Sequence, residues 1–194
     1  MKLVATALPG VVLVEPTVHA DDRGWFLESW NAGRFKQGLQ TLGLPVPRDF
    51  VQDNHSCSQA GVLRGLHYQL PPHAQGKLVR VVRGSVFDVA VDIRRGSAHF
   101  GRWMGVELSA ANRYQMWIPE GFAHGFLALE DNTEFLYKTT DVYARDSERA
   151  LRWDDPVIGI DWPLAPWPGG PRIAAKDATA PGIEAAADQL PALG

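Results

Sequence analysis

Hydrophobic and polar positions alternate with a period of two through the middle of the chain. In "KLVRVVRGSVFDVAVDI", residues 77–93, Phe87, Val89, Val91 and Ile93 fall on one face of a strand. Val86, Asp88, Ala90 and Asp92 fall on the other, as a pleated backbone requires. Gly84-Ser85 separates this strand from the run before it and predicts a hairpin. "RDFVQDNHS" alternates too, placing Phe50, Gln52 and Asn54 on one side. "RYQMWIP", "GFAHGFLAL" and "TEFLYKTT" are further short, aromatic-rich strands bounded by turn residues. The opening run "MKLVATALPGVVLVEP" imitates a secretion signal, but Pro9 and Gly10 interrupt it, and "VHA" before Asp21 is a poor cleavage site. It reads as an ordinary strand. Helix is confined to residues 30–41 and the Ala-rich stretch 183–189, and the Ala/Pro-rich tail after residue 178 is expected to lie over the domain. With 19 Gly and 14 Pro as punctuation, the pattern predicts an all-β, antiparallel sandwich or barrel with a few short helices, as one domain over residues 1–194.

Composition narrows the partners. A formal net charge of -3 argues against a nucleic-acid or membrane-surface protein, so any phosphate recognition has to come from a local group of cations. No apolar run approaches the roughly 20 residues that span a bilayer. The single Cys57 excludes an intramolecular disulfide and suits a reducing compartment such as the cytoplasm.

Chemistry enters with the histidines. "GVLRGLHYQL", residues 61–70, sets Arg64 and His67 within an apolar, glycine-marked strand, and Lys77 opens the next one. Burying such cations without an anionic partner is costly, and an enclosed anionic ligand would resolve the cost. A core histidine satisfied by a carbonyl is the alternative for His67. "PEGFAHGF" carries Pro119, Gly121 and His124 at the spacing of the second cupin motif, and Gly61 with His67 resembles the opening of the first. The resemblance implies a cupin-type jelly roll and raises a metal site. However, Gln69 stands where that motif has its second histidine, and no Glu follows at the expected place. Two imidazoles fall short of the three or four ligands a stable site needs, so a metal-free site is expected.

The stretches "DDRGWFLESW", "FVQDNHSCSQAGVLRGLHYQLPPHAQGKLVRVVRGSVFDVAVDIRRGS", "FGRWMGVELSAANRYQMWIPEGFAHGFLALEDNTEFLYKTTDVYA" and "WDDPVIGIDWP" closely resemble the dTDP-4-dehydrorhamnose 3,5-epimerase family over nearly the whole chain. The resemblance implies a cofactor-independent epimerase acting at C3 and C5 of dTDP-4-dehydro-6-deoxy-D-glucose. Inverting carbons beside a keto group requires removing an α-proton, carrying an enolate and reprotonating on the opposite face. An ordinary imidazole, with a pKa of about 6.5, suits the first step.

By resemblance His67 is the base, Asp177 its carboxylate partner, Tyr137 the acid and Lys77 the cation facing the enolate oxygen. Arg23, Glu28, Gln52, Asp53 and Asn54 match nucleotide-sugar contacts. Arg64, His124 and Lys176 match groups around the diphosphate and sugar, Tyr143 the aromatic that stacks on thymine, and Glu148 a further polar contact. Taken alone, Asp177, Asp53, Glu148 and Lys176 could be solvated charges, Lys77 a solvent-facing one and Tyr137 a barrel tyrosine. The family also implies a homodimer with exchanged N-terminal strands, so that Arg23 and Glu28 could serve the neighbouring subunit. A single-carbon epimerase of a related deoxysugar pathway and a non-catalytic nucleotide-sugar-binding jelly roll are the competing readings. The joint presence of His67 and Tyr137 counts against the second of these.

Overall fold

A computed structural model describes residues 1–193. Its strands are β1 (Lys2–Ala5), β2 (Val12–Glu15), β3 (Val18–Asp21), β4 (Gly24–Leu27), β5 (Gln52–Ser58), β6 (Val62–Gln69), β7 (Lys77–Arg83), β8 (Ser85–Asp92), β9 (Trp103–Ser109), β10 (Gln115–Ile118), β11 (Phe122–Ala128), β12 (Thr133–Thr139), β13 (Glu148–Ala150) and β14 (Arg172–Ile173). Helices α1 (Ala32–Thr41) and α2 (Ala175–Ala178) complete the set with one 3-10 turn at Ala187–Gln189. One sheet has the order β1-β2-β10-β7-β12-β5 and the second β13-β6-β11-β8-β9, with β14 added in parallel beside β6. Strands β3 and β4 form a hairpin of their own. The result is the antiparallel jelly-roll sandwich that the alternating pattern implied.

The alternation in β8 sorts its residues between two cores. Val86 and Ala90 face the other sheet and pack with Val79, Met116, Phe126 and Phe135. Val89, Val91 and Ile93 face outward, where Trp162, Ile183 and Leu190 of the C-terminal segment cover them. A third cluster, of Phe35 and Leu39 on α1 with Val12, Val14, Leu78 and Trp117, covers the outer face of the first sheet. Burying one such large apolar side chain stabilises the fold by about 1.5–3 kcal/mol. Helix α1 begins where Asn31 accepts the Arg34 N–H on its Oδ1 at 3.0 Å, an N-cap.

Three expectations need correction. The opening run is two antiparallel strands, β1 and β2, separated at Pro9-Gly10. Gly84 does not close a hairpin: β7 belongs to the first sheet and β8 to the second. Its φ of +73° turns the chain through a corner between sheets, and glycine tolerates that backbone in either setting. The Ala-rich stretch 183–189 forms only the short 3-10 turn. Burial of Ile183, Ala186 and Leu190 against the second sheet overrides helix propensity there.

Candidate active site

Strands β6 and β11 pair with His67 opposite His124, and a register shift between His124 and Phe126 brings Phe126 opposite Arg64. Gly65 and Gly125 sit at the irregularity, where a Cβ on either residue would run into the backbone of the other strand. Flanking residues Arg64, His67, His124 and Phe126 line one wall of a cleft of about 610 Å³ between the two sheets. Strands β5, β7 and β12 provide the opposite wall, and the segment running from β14 into α2 closes one side.

The central pair is His67 and Asp177. His67 Nε2 lies 2.7 Å from Asp177 Oδ1, with the imidazole partly exposed to the cleft and the carboxylate 3% exposed. Parallel pairing of β14 with β6 carries α2, and with it Asp177, across the back of His67. Asp177 Oδ2 also accepts the Gly65 N–H at 3.4 Å. Burial pushes the Asp177 carboxyl upward, but the His67 hydrogen bond and charge, aided by the Gly65 N–H, outweigh it and hold it below the ordinary carboxylate value. An anionic carboxylate fixes the imidazole tautomer and leaves the other ring nitrogen for chemistry. Asp177 is therefore no solvated loop charge.

Tyr137 approaches from the other sheet, on β12. Burial raises its phenol above the ordinary value, with Arg64 opposing, so it holds its proton at neutral pH. Lys77 is buried at the start of β7 and donates from Nζ to the His67 carbonyl at 3.1 Å. Burial lowers its pKa to about 8, while Glu148 and Asp88 work the other way. Asp88, fully buried beneath the cleft, accepts from His124 Nε2, with both oxygens at 3.0 Å. Burial raises the Asp88 carboxyl, and His124 and Lys77 oppose that rise.

The binding candidates divide. Gln52, Asn54, Arg64, His124, Tyr143, Glu148 and Lys176 line the cleft. Arg64 is exposed at its edge rather than buried in a barrel, so the burial argument holds for Lys77 and not for Arg64. The guanidinium is steered by Ser58 Oγ, which accepts from Nε at 3.1 Å, and by the Cys57 carbonyl. Glu148 accepts from Lys176 Nζ at 3.2 Å and from the Tyr143 hydroxyl at 3.1 Å. Asp53 points to the outer face of β5 and pairs with Lys138 at 2.9 Å, as strict alternation between Gln52 and Asn54 demands. Arg23 lies in the β3–β4 hairpin, paired with Asp21, and Glu28 pairs with Arg34. Both are outside this chain's cleft.

Sequence reasoning missed Asp88 and Ser58, and it singled out Gln69 only as a substituted metal-ligand position. Asp88 had a signal, being a carboxylate on a face otherwise carrying Val86 and Ala90. Ser58 had none. Among the described residues no three His, Cys, Asp or Glu side chains converge as a metal site, and the imidazoles of His67 and His124 already meet carboxylates.

Comparison with known proteins agrees with this geometry. The family model for dTDP-4-dehydrorhamnose 3,5-epimerase matches residues 5–185. The chain is 56% identical over 177 residues to the dTDP-4-dehydrorhamnose 3,5-epimerase of Pseudomonas aeruginosa, covering 91% of this chain and 93% of that one. It is similar, with a TM-score of 0.90 and 46% identity over 100% of this chain and 98% of the other, to the Legionella pneumophila dTDP-6-deoxy-D-glucose-3,5-epimerase solved with dTDP-4-keto-L-rhamnose. A 3'-monoepimerase of Streptomyces bikiniensis, solved with dTDP-quinovose, superimposes with a TM-score of 0.85 at 33% identity, covering 99% and 93%. A histidine on one sheet held by a helix carboxylate, a protonated phenol on the other sheet and a match over nearly the whole length place the chain in the dTDP-4-dehydrorhamnose 3,5-epimerase family.

Proposed function

We propose that the cleft converts dTDP-4-dehydro-6-deoxy-D-glucose to dTDP-4-dehydro-L-rhamnose by inverting C3 and C5, as a step of dTDP-L-rhamnose synthesis in the cytoplasm. His67 takes the proton from the carbon beside the C4 ketone, and Asp177 stabilises the imidazolium that results. The C–H electron pair moves into an enolate whose oxygen faces the Lys77 ammonium, where a desolvated cation stabilises charge strongly. Tyr137 then delivers a proton to the other face of the same carbon, and solvent restores both groups. No redox step or cofactor enters this balance.

The observation that carries the reading is the origin of base and acid on opposite sheets. A sugar ring between the two walls presents one face to each. Arg64, His124 and Lys176 offer cationic or donor groups to the diphosphate, and Tyr143 offers its ring to the thymine. Arg23 and Glu28 act on the neighbouring subunit of a homodimer with exchanged N-terminal strands, and Asp53 binds from its outward position only through such a partner. The likeness to the Streptomyces monoepimerase keeps a single-carbon reaction as the second reading. Incubation with the dTDP-keto sugar in deuterated water separates them. Deuterium at C3 and C5 with inversion at both is the expected result, inversion at one carbon alone selects the monoepimerase, and no incorporation overturns both.

A further inference from the structure

We infer that Gln69 is a positioning residue for nucleotide binding: its side-chain amide, with that of Gln52 from the opposite sheet, fixes the loop Val142–Ala144 so that the Tyr143 ring is a preformed stacking surface. The inference rests on the reading of Tyr143 as the nucleobase contact.

The loop's backbone groups are accounted for one by one. Gln69, 6% exposed at the end of β6, donates from Nε2 to the Val142 carbonyl at 3.2 Å and to the His73 carbonyl at 2.6 Å. Its Oε1 accepts the Ala144 N–H at 2.9 Å. Gln52 on β5 accepts the Tyr143 N–H on its own Oε1 at 2.9 Å and is itself oriented by donating to Asn54 Oδ1 at 2.9 Å. Asp141 Oδ1 accepts the Val142 N–H at 2.8 Å. Three successive residues are thus tethered to both sheets through side-chain amides.

The Tyr143 ring has little support of its own. The residue is 54% exposed, and the hydroxyl donation to Glu148 is the only hydrogen bond its side chain makes among the described residues. Its direction is therefore set by the backbone beneath it. A fixed aromatic ring binds a base without first losing loop freedom, which is the gain from preorganisation.

The chemistry at position 69 is specific to an amide. The three partners need two donated hydrogens and one acceptor from a single planar group. A carboxylate has no hydrogen to donate, and an imidazole offers too few. Gln69 occupies the place where the first cupin motif has a metal-binding histidine, so a ligand position has become a loop anchor.

The test is a double-mutant cycle on dTDP binding by calorimetry, joined to steady-state kinetics. Tyr143→Ala is expected to weaken dTDP about 5- to 100-fold, the range for loss of one base–aromatic stack. Gln69→Met, similar in volume but without polar atoms on its amide end, is expected to weaken dTDP about 5- to 50-fold. It should raise KM for the sugar nucleotide in proportion and leave kcat within about twofold, a split that general loss of folded protein does not produce. The double variant should bind no more weakly than Tyr143→Ala alone, because both changes remove the same platform. If Gln69→Met does not fold, Gln69→Glu keeps the acceptor for Ala144 and sets a carboxylate against two carbonyls, and it must also weaken dTDP. Wild-type affinity in the folded Gln69 variant, or losses that add in the cycle, overturns the positioning role while Tyr143 keeps its own. Wild-type dTDP affinity in Tyr143→Ala overturns the stacking reading itself and this inference with it.

Discussion

On the proposed mechanism His67 and Tyr137 are expected to fail in different ways when each is altered, because one would start the reaction and the other end it. Tyr137→Phe removes a hydroxyl but keeps a ring that packs beside Phe135 at 6.1 Å between centroids, so stability changes little. The enolate still forms, and deuterium from solvent should enter unepimerised substrate while inverted product falls by about 10²- to 10⁴-fold. Equal loss of exchange and product, read together by NMR, would remove the division of labour. Lys77 provides a second test at this scale. Its cation is lost as pH rises through about 8, since burial favours the neutral amine while Asp88 and Glu148 favour the charged one. The ratio kcat/KM, which reports the free enzyme, should therefore decline above that pH, and Lys77→Met should lower kcat about 10²- to 10³-fold at neutral pH. A pH–rate profile that stays level to pH 10 would show that the enolate does not depend on this ammonium.

At the scale of elements, the β3–β4 hairpin stands apart from both sheets. Trp25 and Phe26 on it are 56% and 69% exposed, and the Arg113 guanidinium lies over Trp25, at 4.5 Å from the ring centroid. Two adjacent large apolar rings held in water are the mark of a surface that meets a partner, and the proposed homodimer would cover them with a second copy. On that proposal Phe26→Asp is expected to yield monomers in sedimentation analysis and to lower activity with them, because it would withdraw Arg23 and Glu28 from the neighbouring cleft. An intact active dimer would locate the interface elsewhere. Much of the secondary structure was readable from local pattern: the β8 alternation, the strand at Gln52–Asn54 and the helix after Asn31 all follow from neighbours in the chain. The corner at Gly84 was not, because a positive-φ glycine serves a hairpin or a sheet change equally well. Pairing of His67 with Asp177, 110 residues apart, has no local signal either. It was legible only through likeness to a family, as were the roles of Tyr143 and Lys176.

For the whole molecule, the second sheet lies between two apolar layers, the inter-sheet core and the C-terminal cover. Ile183 is fully buried in that cover, so Ile183→Ala is expected to cost about 2–5 kcal/mol, read as a lower urea midpoint at unchanged m-value. A midpoint equal to wild type would mean that the tail adds little. The first sheet is covered differently. Helix α1 protects β2, β7 and β10, but the outer face of β5 presents Asp53, His55 and Cys57 to water. The proposed base and acid therefore stand on walls that are unequally covered. Amide hydrogens of β11, buried along its whole length, are expected to exchange with solvent more slowly than those of the β5 edge, whose residues alternate between half-buried and exposed. On the proposed mechanism the proton is taken by the more deeply covered wall and returned by the one nearer water, and the sugar nucleotide would enter and leave at the edge where Tyr143 meets the solvent.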